Sequence, residues 1–331
     1  MTALTPRTDR VEAKAYDHNY IINGNFDFWQ RNSGPYTAPT SNLHAGPDRW
    51  REWGSGTGTR QTITRSTTVP NSESRYSMKV TGTTTATSHR IVQRIEADNC
   101  RSLVGKKATI SLYIRNDTGV AITPQVRIAT ADADDNFSSA TEQMGYTNMQ
   151  ECPNSAWTKV SLTMDFSGMS NIANGIEIML SSGATLNTTG KSISYAQVML
   201  NEGEFAASFR RHSTSIQCEL SACQRYFQRY GGTGAYNVYG CGTTWVSTKF
   251  VIAFQFITSM RDIPTISTNG SFRGYASNSD IHTVTLSVDG NTDSIHGVGI
   301  DCSGTGMTVG SAYNLQNNND TSAYIDFNAE L

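Results

Sequence analysis

The chain is poor in charge and almost balanced in sign. It has 26 Lys and Arg against 28 Asp and Glu, a formal net charge of −2. Nucleic-acid affinity rests on a basic patch or stripe, so nucleic acid is not expected as a partner. No run approaches the roughly 18 to 20 apolar residues of a membrane-spanning helix. The opening MTALTPRTDRVEAKAYDHNY also lacks the apolar core of a signal peptide. Neither membrane insertion nor export by that route is expected. The six cysteines (Cys100, Cys152, Cys218, Cys223, Cys241, Cys302) form no C-x-x-C pair and have no His-rich neighbours. That excludes a signalled zinc site or disulfide framework, and predicts reduced thiols in a chain that folds in a cytosol.

Long helical periodicity is scarce too, and what replaces it is β-structure. With 37% hydrophobic and 16% charged residues the chain is globular, and 331 residues suffice for two domains with separate cores. From Tyr20 the character changes to YIINGNFDFWQR, where Asn23-Gly24 marks a turn among apolar residues. Short runs then follow at regular spacing: GTRQTITRST, YSMKVTGT, HRIVQRIE, KATISLYIR, TPQVRIAT, WTKVSLTMDF, GIEIMLSS and SISYAQVMLNEG. Gly, Asn, Asp or Pro separates them, which predicts a two-sheet jelly roll. In Lys107 to Arg115, Ala108, Ile110, Leu112 and Ile114 fall on one face and Thr109, Ser111 and Tyr113 on the other. Trp29, Trp50 and Trp157 are expected in the core. After residue 231, WVSTKFVIAFQFI, IHTVTLSVDG, SIHGVGIDC and SAYIDF predict a second, smaller β-sandwich.

One segment reads as helix. In SIQCELSACQRYFQRY, Ser215 to Tyr230, the residues Ile216, Leu220, Cys223, Phe227 and Tyr230 recur at spacings of four and three, two heptads of one stripe. Gly231-Gly232 supplies a stop. The stripe is too short for a coiled coil by itself. It either helps several chains associate or packs on its own jelly roll, and Arg225 and Arg229 flank it, placed to pair with acidic groups on a neighbour. The expected division is an attachment arm at 1–19, a jelly roll at 20–209, a linking amphipathic helix at 210–231 and a C-terminal β-sandwich at 232–331. The class is all-β.

Catalytic chemistry is not signalled. The six histidines stand alone, and carboxylates such as Asp48, Glu96, Asp165 and Glu177 are not placed as a pair by their spacing. TADADDNF begins like a calcium loop but has Phe137 and Gln143 where Gly and Glu are required. GSGTGT lacks the following Lys and helix of a phosphate loop.

The order INGNFDFWQR, PDRW, YSMKV, IVQRIE, KKATISLYIR, WTKVSLTMDF, FAASFRRHSTSIQCELSACQRYFQRY and NAEL resembles bacteriophage and prophage tail-fibre or receptor-binding proteins from about Tyr20 to the end. In that group a carbohydrate-binding-module-like jelly roll precedes a helix with a motif resembling E-L-x-x-C-Q-R-Y-Y. Here Glu219 to Phe227 departs only at Phe227. The resemblance implies a homotrimeric virion appendage, assembled in the host cytoplasm, docking to other tail proteins through residues 1–19 and attaching to host surface glycan without catalysis. A capsid decoration or head fibre and a glycan-depolymerising tail enzyme are the alternatives. NGNFD also resembles the start of calcium-stabilised carbohydrate-binding jelly rolls. That resemblance implies a site at Asp27 and the last strand, where Gln197 replaces the usual Asp and weakens it; no other cofactor is expected.

Sugar recognition needs aromatic platforms beside hydrogen-bonding groups. The candidates, all in or beside polar segments, are Tyr36, Trp53, Tyr146, Tyr236, Tyr239, Trp245, Tyr275 and Tyr313.

Overall fold

Strand alternation sets the architecture. On the strand Lys107–Asp117, Ala108, Ile110, Leu112 and Ile114 are buried, as the pattern requires. The computed structural model describes residues 18–40, 43–183, 186–290 and 293–331. Residues 1–17 of the expected attachment arm lie outside these. The protein is all-β, 47% strand and 7% helix, in two units, the first reaching Leu220 and the second running Ser221–Glu330.

The first unit comprises β1 (Tyr36–Thr37), β2 (Arg51–Gly56), β3 (Thr62–Ser66), β4 (Ser77–Thr81), β5 (Ala86–Glu96), the short α1 (Ala97–Cys100), β6 (Lys107–Asp117), β7 (Gln125–Thr130), β8 (Thr141–Asn148), β9 (Ala156–Asp165), β10 (Gly175–Ser181) and β11 (Ser192–Glu202). Two antiparallel sheets, β1-β3-β4-β11-β6-β9 and β2-β5-β10-β7-β8, enclose an apolar core. Trp29 and Trp50 are in it, whereas Trp157 on β9 is partly exposed.

The segment before β1 closes this sandwich. On β11 a bulge sets Gln197 and Val198 against Leu112, so the ladder to β6 is interrupted there. Pairing of β11 with β4 also ends at Tyr195, and beyond it this segment takes over: the Val198 N–H donates to the Gly24 carbonyl (2.8 Å), and the Asn19 Oδ1 accepts from Leu200 (3.0 Å) and Ile21 (2.9 Å). Gln93 grips Ile22 with both ends of its amide, at 2.8 Å each. Gly24 approaches so closely that a Cβ there would lie 2.0 Å from the Val198 carbonyl oxygen.

The helix, α2 (Ile216–Gln224), is shorter than its sequence period suggests. Ser215 caps it, its Oγ accepting the Cys218 N–H at 3.1 Å. Its buried residues are Glu219, Cys223 and Gln224, followed by Tyr226, while Ile216 is 50% exposed. The expected stripe of Ile216, Leu220, Cys223, Phe227 and Tyr230 is therefore corrected, because Phe227 and Tyr230 belong to a strand. Helix propensity separates aromatic residues from the best helix formers by at most about 0.7 kcal/mol each. Packing outweighs that: Tyr230 meets Phe254 at 4.6 Å and Phe327 at 5.6 Å between ring centroids, contacts worth about 0.5–1.5 kcal/mol apiece beyond burial. Arg229 is engaged within the chain by Asp326, through two bonds of 2.6 Å.

The second unit comprises β12 (Phe227–Gly231), β13 (Val238–Val246), β14 (Lys249–Gln255), β15 (Thr265–Asn269), β16 (Phe272–Ser277), β17 (Asp280–Val288), β18 (Gly297–Ser303), β19 (Ala312–Asn317) and β20 (Tyr324–Asn328). Where two facing sheets were expected, six strands close into a barrel, β13-β14-β18-β17-β16-β19, accompanied by the sheet β12-β20-β15. Closure removes the barrel's edges.

Two ionisable groups in the first unit's core oppose one another in their response to pH. Tyr36 hydrogen-bonds the buried Glu52 carboxyl, and burial pushes that carboxyl up to about 8 and the phenol well above its usual range. His89 is fully buried, its ring nitrogens have no hydrogen-bond partner among the described residues, and burial lowers it to about 3.

Gly24→Ala is expected to cost about 1–3 kcal/mol in urea unfolding, the scale of overpacking in a tight interior. The pH dependence of the unfolding temperature should form a dome. Folding raises the Glu52 pKa, so its contribution is present below about 4.5 and lost as pH rises towards 8. Folding depresses the His89 pKa, so its contribution is present above 6.5 and lost as pH falls towards 3. Scanning calorimetry of Glu52→Gln should show a flattened alkaline limb, and of His89→Phe a flattened acid limb.

Candidate functional site

The outward face of the five-stranded sheet gathers aromatic, cationic and carboxylate side chains at strand spacing. Trp53 on β2 lies directly opposite Arg90 on β5, which lies opposite Ser181 on β10, then Gln125 on β7 and Asn148 on β8. In a row four residues along, Arg94, Glu177 and Ala129 succeed one another across β5, β10 and β7, with Glu142 opposite Ala129 on β8. Period-two alternation puts these residues on one side.

A bulge places the second aromatic. Between the pairs Val126–Thr147 and Ile128–Met144, two residues of β8, Gly145 and Tyr146, stand against Arg127 alone. Bulges re-aim side chains in this way. Tyr146 faces inward along the sheet, its hydroxyl donating to the Met179 sulfur at 2.8 Å. The Arg90 guanidinium lies over both rings, 4.5 Å from the Trp53 centroid and 5.1 Å from that of Tyr146. Arg94 covers Phe137 at 4.6 Å.

The charged row is internally paired. Glu177 receives Arg94 at 2.8 Å and Arg127 at 3.6 Å, and Arg127 reaches Glu142 at 2.5 Å. Arg90, by contrast, pairs with no carboxylate among the described residues. The face thus offers two rings with a cation between them, a neutral amide pair of Gln125 and Asn148 (2.9 Å), and a fixed charge ladder. This combination suits a polar ligand with apolar faces.

Of the eight aromatic candidates, Trp53 and Tyr146 meet here. Tyr36 instead holds Glu52, the neighbour of Trp53 that points to the opposite, buried side of β2. In the second unit, Tyr236 and Tyr275 flank Arg273, while Tyr239 packs on Phe272 and donates to the Ala323 carbonyl at 3.1 Å. Trp245, near the β13–β14 turn, is 65% exposed. Tyr313 is corrected: it is fully buried, stacked on Phe250, with its hydroxyl bonded to Asp280, because its β19 position points into the barrel.

The residues expected to share a calcium ion have other partners. Asp27 Oδ2 accepts Arg211 Nε at 2.9 Å, so a guanidinium already neutralises it. Gln197 turns its Nε2 towards Asn71 (2.7 Å) and Ser74 (2.8 Å), presenting a donor there. Among the described residues, no group of three or more His, Cys, Asp or Glu is arranged to hold a metal.

Sequence reasoning missed Arg90, Arg94 and Arg127. The signal in HRIVQRIE is Arg90 and Arg94 four apart on a strand, but the inward residues include His89 and Gln93, whose polarity masks the alternation.

No family model and no curated protein matches the chain. Similar solved structures include the enzymatically active domain of bacteriophage CBA120 tailspike protein 4, at 17% identity and TM-score 0.38, covering 56% of this chain and 21% of that one. Another is the CBM22-2 xylan-binding domain of Paenibacillus barcinonensis Xyn10C, at 14% identity and TM-score 0.33, covering 51% of this chain and all of that one, 100%. A third is the CBM22-1–GH10 part of Clostridium thermocellum xylanase 10B complexed with xylohexaose, at 10% identity and TM-score 0.35, covering 56% and 29%. The chain spans about a fifth of the tailspike structure's length. At these scores the likenesses carry no statement about activity or ligand.

Proposed function

We propose that this chain is a non-enzymatic, glycan-binding component of a phage virion, a tail fibre or related receptor-binding appendage. Its sugar platform is the outward face of the sheet β2-β5-β10-β7-β8. The observation that carries the reading is the cluster of Trp53, Arg90 and Tyr146, two aromatic rings with one guanidinium over both on the sheet face. Sugar rings stack on such faces through their C–H bonds, and the neighbouring amides and charged groups meet the hydroxyls. The sequence resemblance to phage fibre proteins supplies the setting, with host surface glycan as the receptor and further tail proteins and copies of this chain as partners. Weak sites presented in several copies gain avidity without new contacts.

Binding without hydrolysis is favoured by the state of the carboxylates on this face. Glu177 and Glu142 are both engaged by arginine, whereas a general acid requires an apolar, unpaired setting.

Host polysaccharide incubated with the protein should be retained without release of oligosaccharide. Trp53→Ala and Tyr146→Ala should each weaken binding about tenfold, near 1.4 kcal/mol, with an unchanged unfolding temperature. New reducing ends would establish a depolymerase instead, and absence of both binding and release would point to a decoration or head-fibre role.

A further inference from the structure

We infer that the barrel of the second unit carries its own binding site for a carboxylate-bearing sugar residue, of the uronic-acid class, built on Arg273. Arg273 and Tyr275 lie two apart on β16 and share its outer side, while Phe272 and Gly274 point inward; a Cβ on Gly274 would stand 2.7 Å from the Phe250 ring. The Arg273 guanidinium lies 3.9 Å from the Tyr236 ring centroid and 5.2 Å from that of Tyr275.

Two features fix this group without neutralising it. Nε and Nη2 both donate to Gln316 Oε1, at 3.0 and 2.8 Å, from the directly paired position on β19. That holds the guanidinium plane but supplies no negative charge. Arg229 and Arg261 of the same unit meet the carboxylates of Asp326 and Asp262, whereas Arg273 meets none among the described residues. Its Nη1 has no hydrogen-bond partner there either, and so presents two unengaged N–H donors.

The loop bearing Tyr236 is pinned beside it. Asn317, next to Gln316, donates its side-chain amide to the carbonyls of Gly234 (2.7 Å) and Asp320 (2.8 Å), and its backbone N–H to Asn237 (3.3 Å). Tyr236 itself remains 47% exposed. A preoriented, uncompensated guanidinium flanked by rings complements a planar carboxylate on a ring with apolar faces, since arginine pairs carboxylates bidentately and aromatic faces take the sugar. A neutral sugar would leave the charge unmet.

The inference rests on reading the chain as glycan-binding, but uses residues of the second unit only. The test is calorimetric titration of the full chain with oligogalacturonate, a matched neutral oligoglucoside and a single-stranded oligonucleotide. It is run on wild type, Trp53→Ala and Trp53→Ala/Arg273→Gln. Trp53→Ala should retain oligogalacturonate binding, with little for the neutral sugar, and adding Arg273→Gln should weaken it at least tenfold without shifting the unfolding temperature. If Arg273→Gln impairs folding, Trp53→Ala/Tyr236→Ala should show the same loss. Complete loss of binding in Trp53→Ala alone, equal affinity for the neutral sugar, preference for the oligonucleotide, or less than a twofold effect in the folded second-unit variants would overturn it. Persistence of oligogalacturonate binding in Trp53→Ala, with wild type binding no host polysaccharide through the first unit, would leave this site standing and remove the sheet-face reading.

Discussion

The first unit depends on how one interrupted ladder is repaired. A bulge in β11 gives up pairing with β6 at Gln197 and Val198, in the middle of a fully buried strand. Unmet backbone groups there would each cost about 1–3 kcal/mol. Pairing with β4 ends at Tyr195 as well, and residues 19–24 satisfy the groups of Val198 and Leu200 beyond it as a fragment of strand, through the backbone of Tyr20 and Gly24 and the side chain of Asn19. The same segment continues into Asn23, whose left-handed conformation (φ 55°) and side chain tie Phe28 and Asp48 together and bring Phe26 over Trp50. Its N–H is taken by Glu219 of α2 at 2.6 Å, and the other oxygen of that carboxylate takes Ser213 at 2.7 Å. A buried acid on the helix thus orders the entrance of the chain.

Much of this was legible from the amino-acid order. The strands, the Asn23-Gly24 turn and the burial of Trp29 and Trp50 follow from alternation and turn chemistry, which are local. Phe227 and Tyr230 were not legible as strand residues, because what decides them is pairing with Tyr324–Asn328, about a hundred positions away. The closure of the barrel is likewise non-local: β13 pairs with β19 across the length of the unit. Of the sheet face, two aromatic members were anticipated and the arginines between them were not. Arginine on a strand reads as a solvated surface residue unless the rings on neighbouring strands are known, and the bulge that turns Tyr146 leaves no mark in composition.

The two aromatic–guanidinium arrangements, at Arg90 and Arg273, share a physical logic. In each, ring faces hold a cation in position on a β-surface while no carboxylate among the described residues answers it. Arg94, Arg127 and Arg229, by contrast, are paired with carboxylates. Surface charges left unpaired beside aromatic rings keep their field for a ligand, at the cost of the modest stabilisation that a local partner would bring.

The position of β20 has a consequence for the order in which the protein is built. It is the middle strand of its sheet, with β12 on one side and β15 on the other. During synthesis the first unit has all its strands once residue 202 is made, and its helical acid by residue 219. The second unit waits: β12 emerges early but has no partner until residues 324–328 follow. Until then Phe227 and Tyr230 lack the strand they pair with and the Phe327 ring, a long-range closure of the kind that slows folding and exposes apolar surface meanwhile. The protein therefore matures from its N-terminal half, with the second unit completing after its last strand is translated.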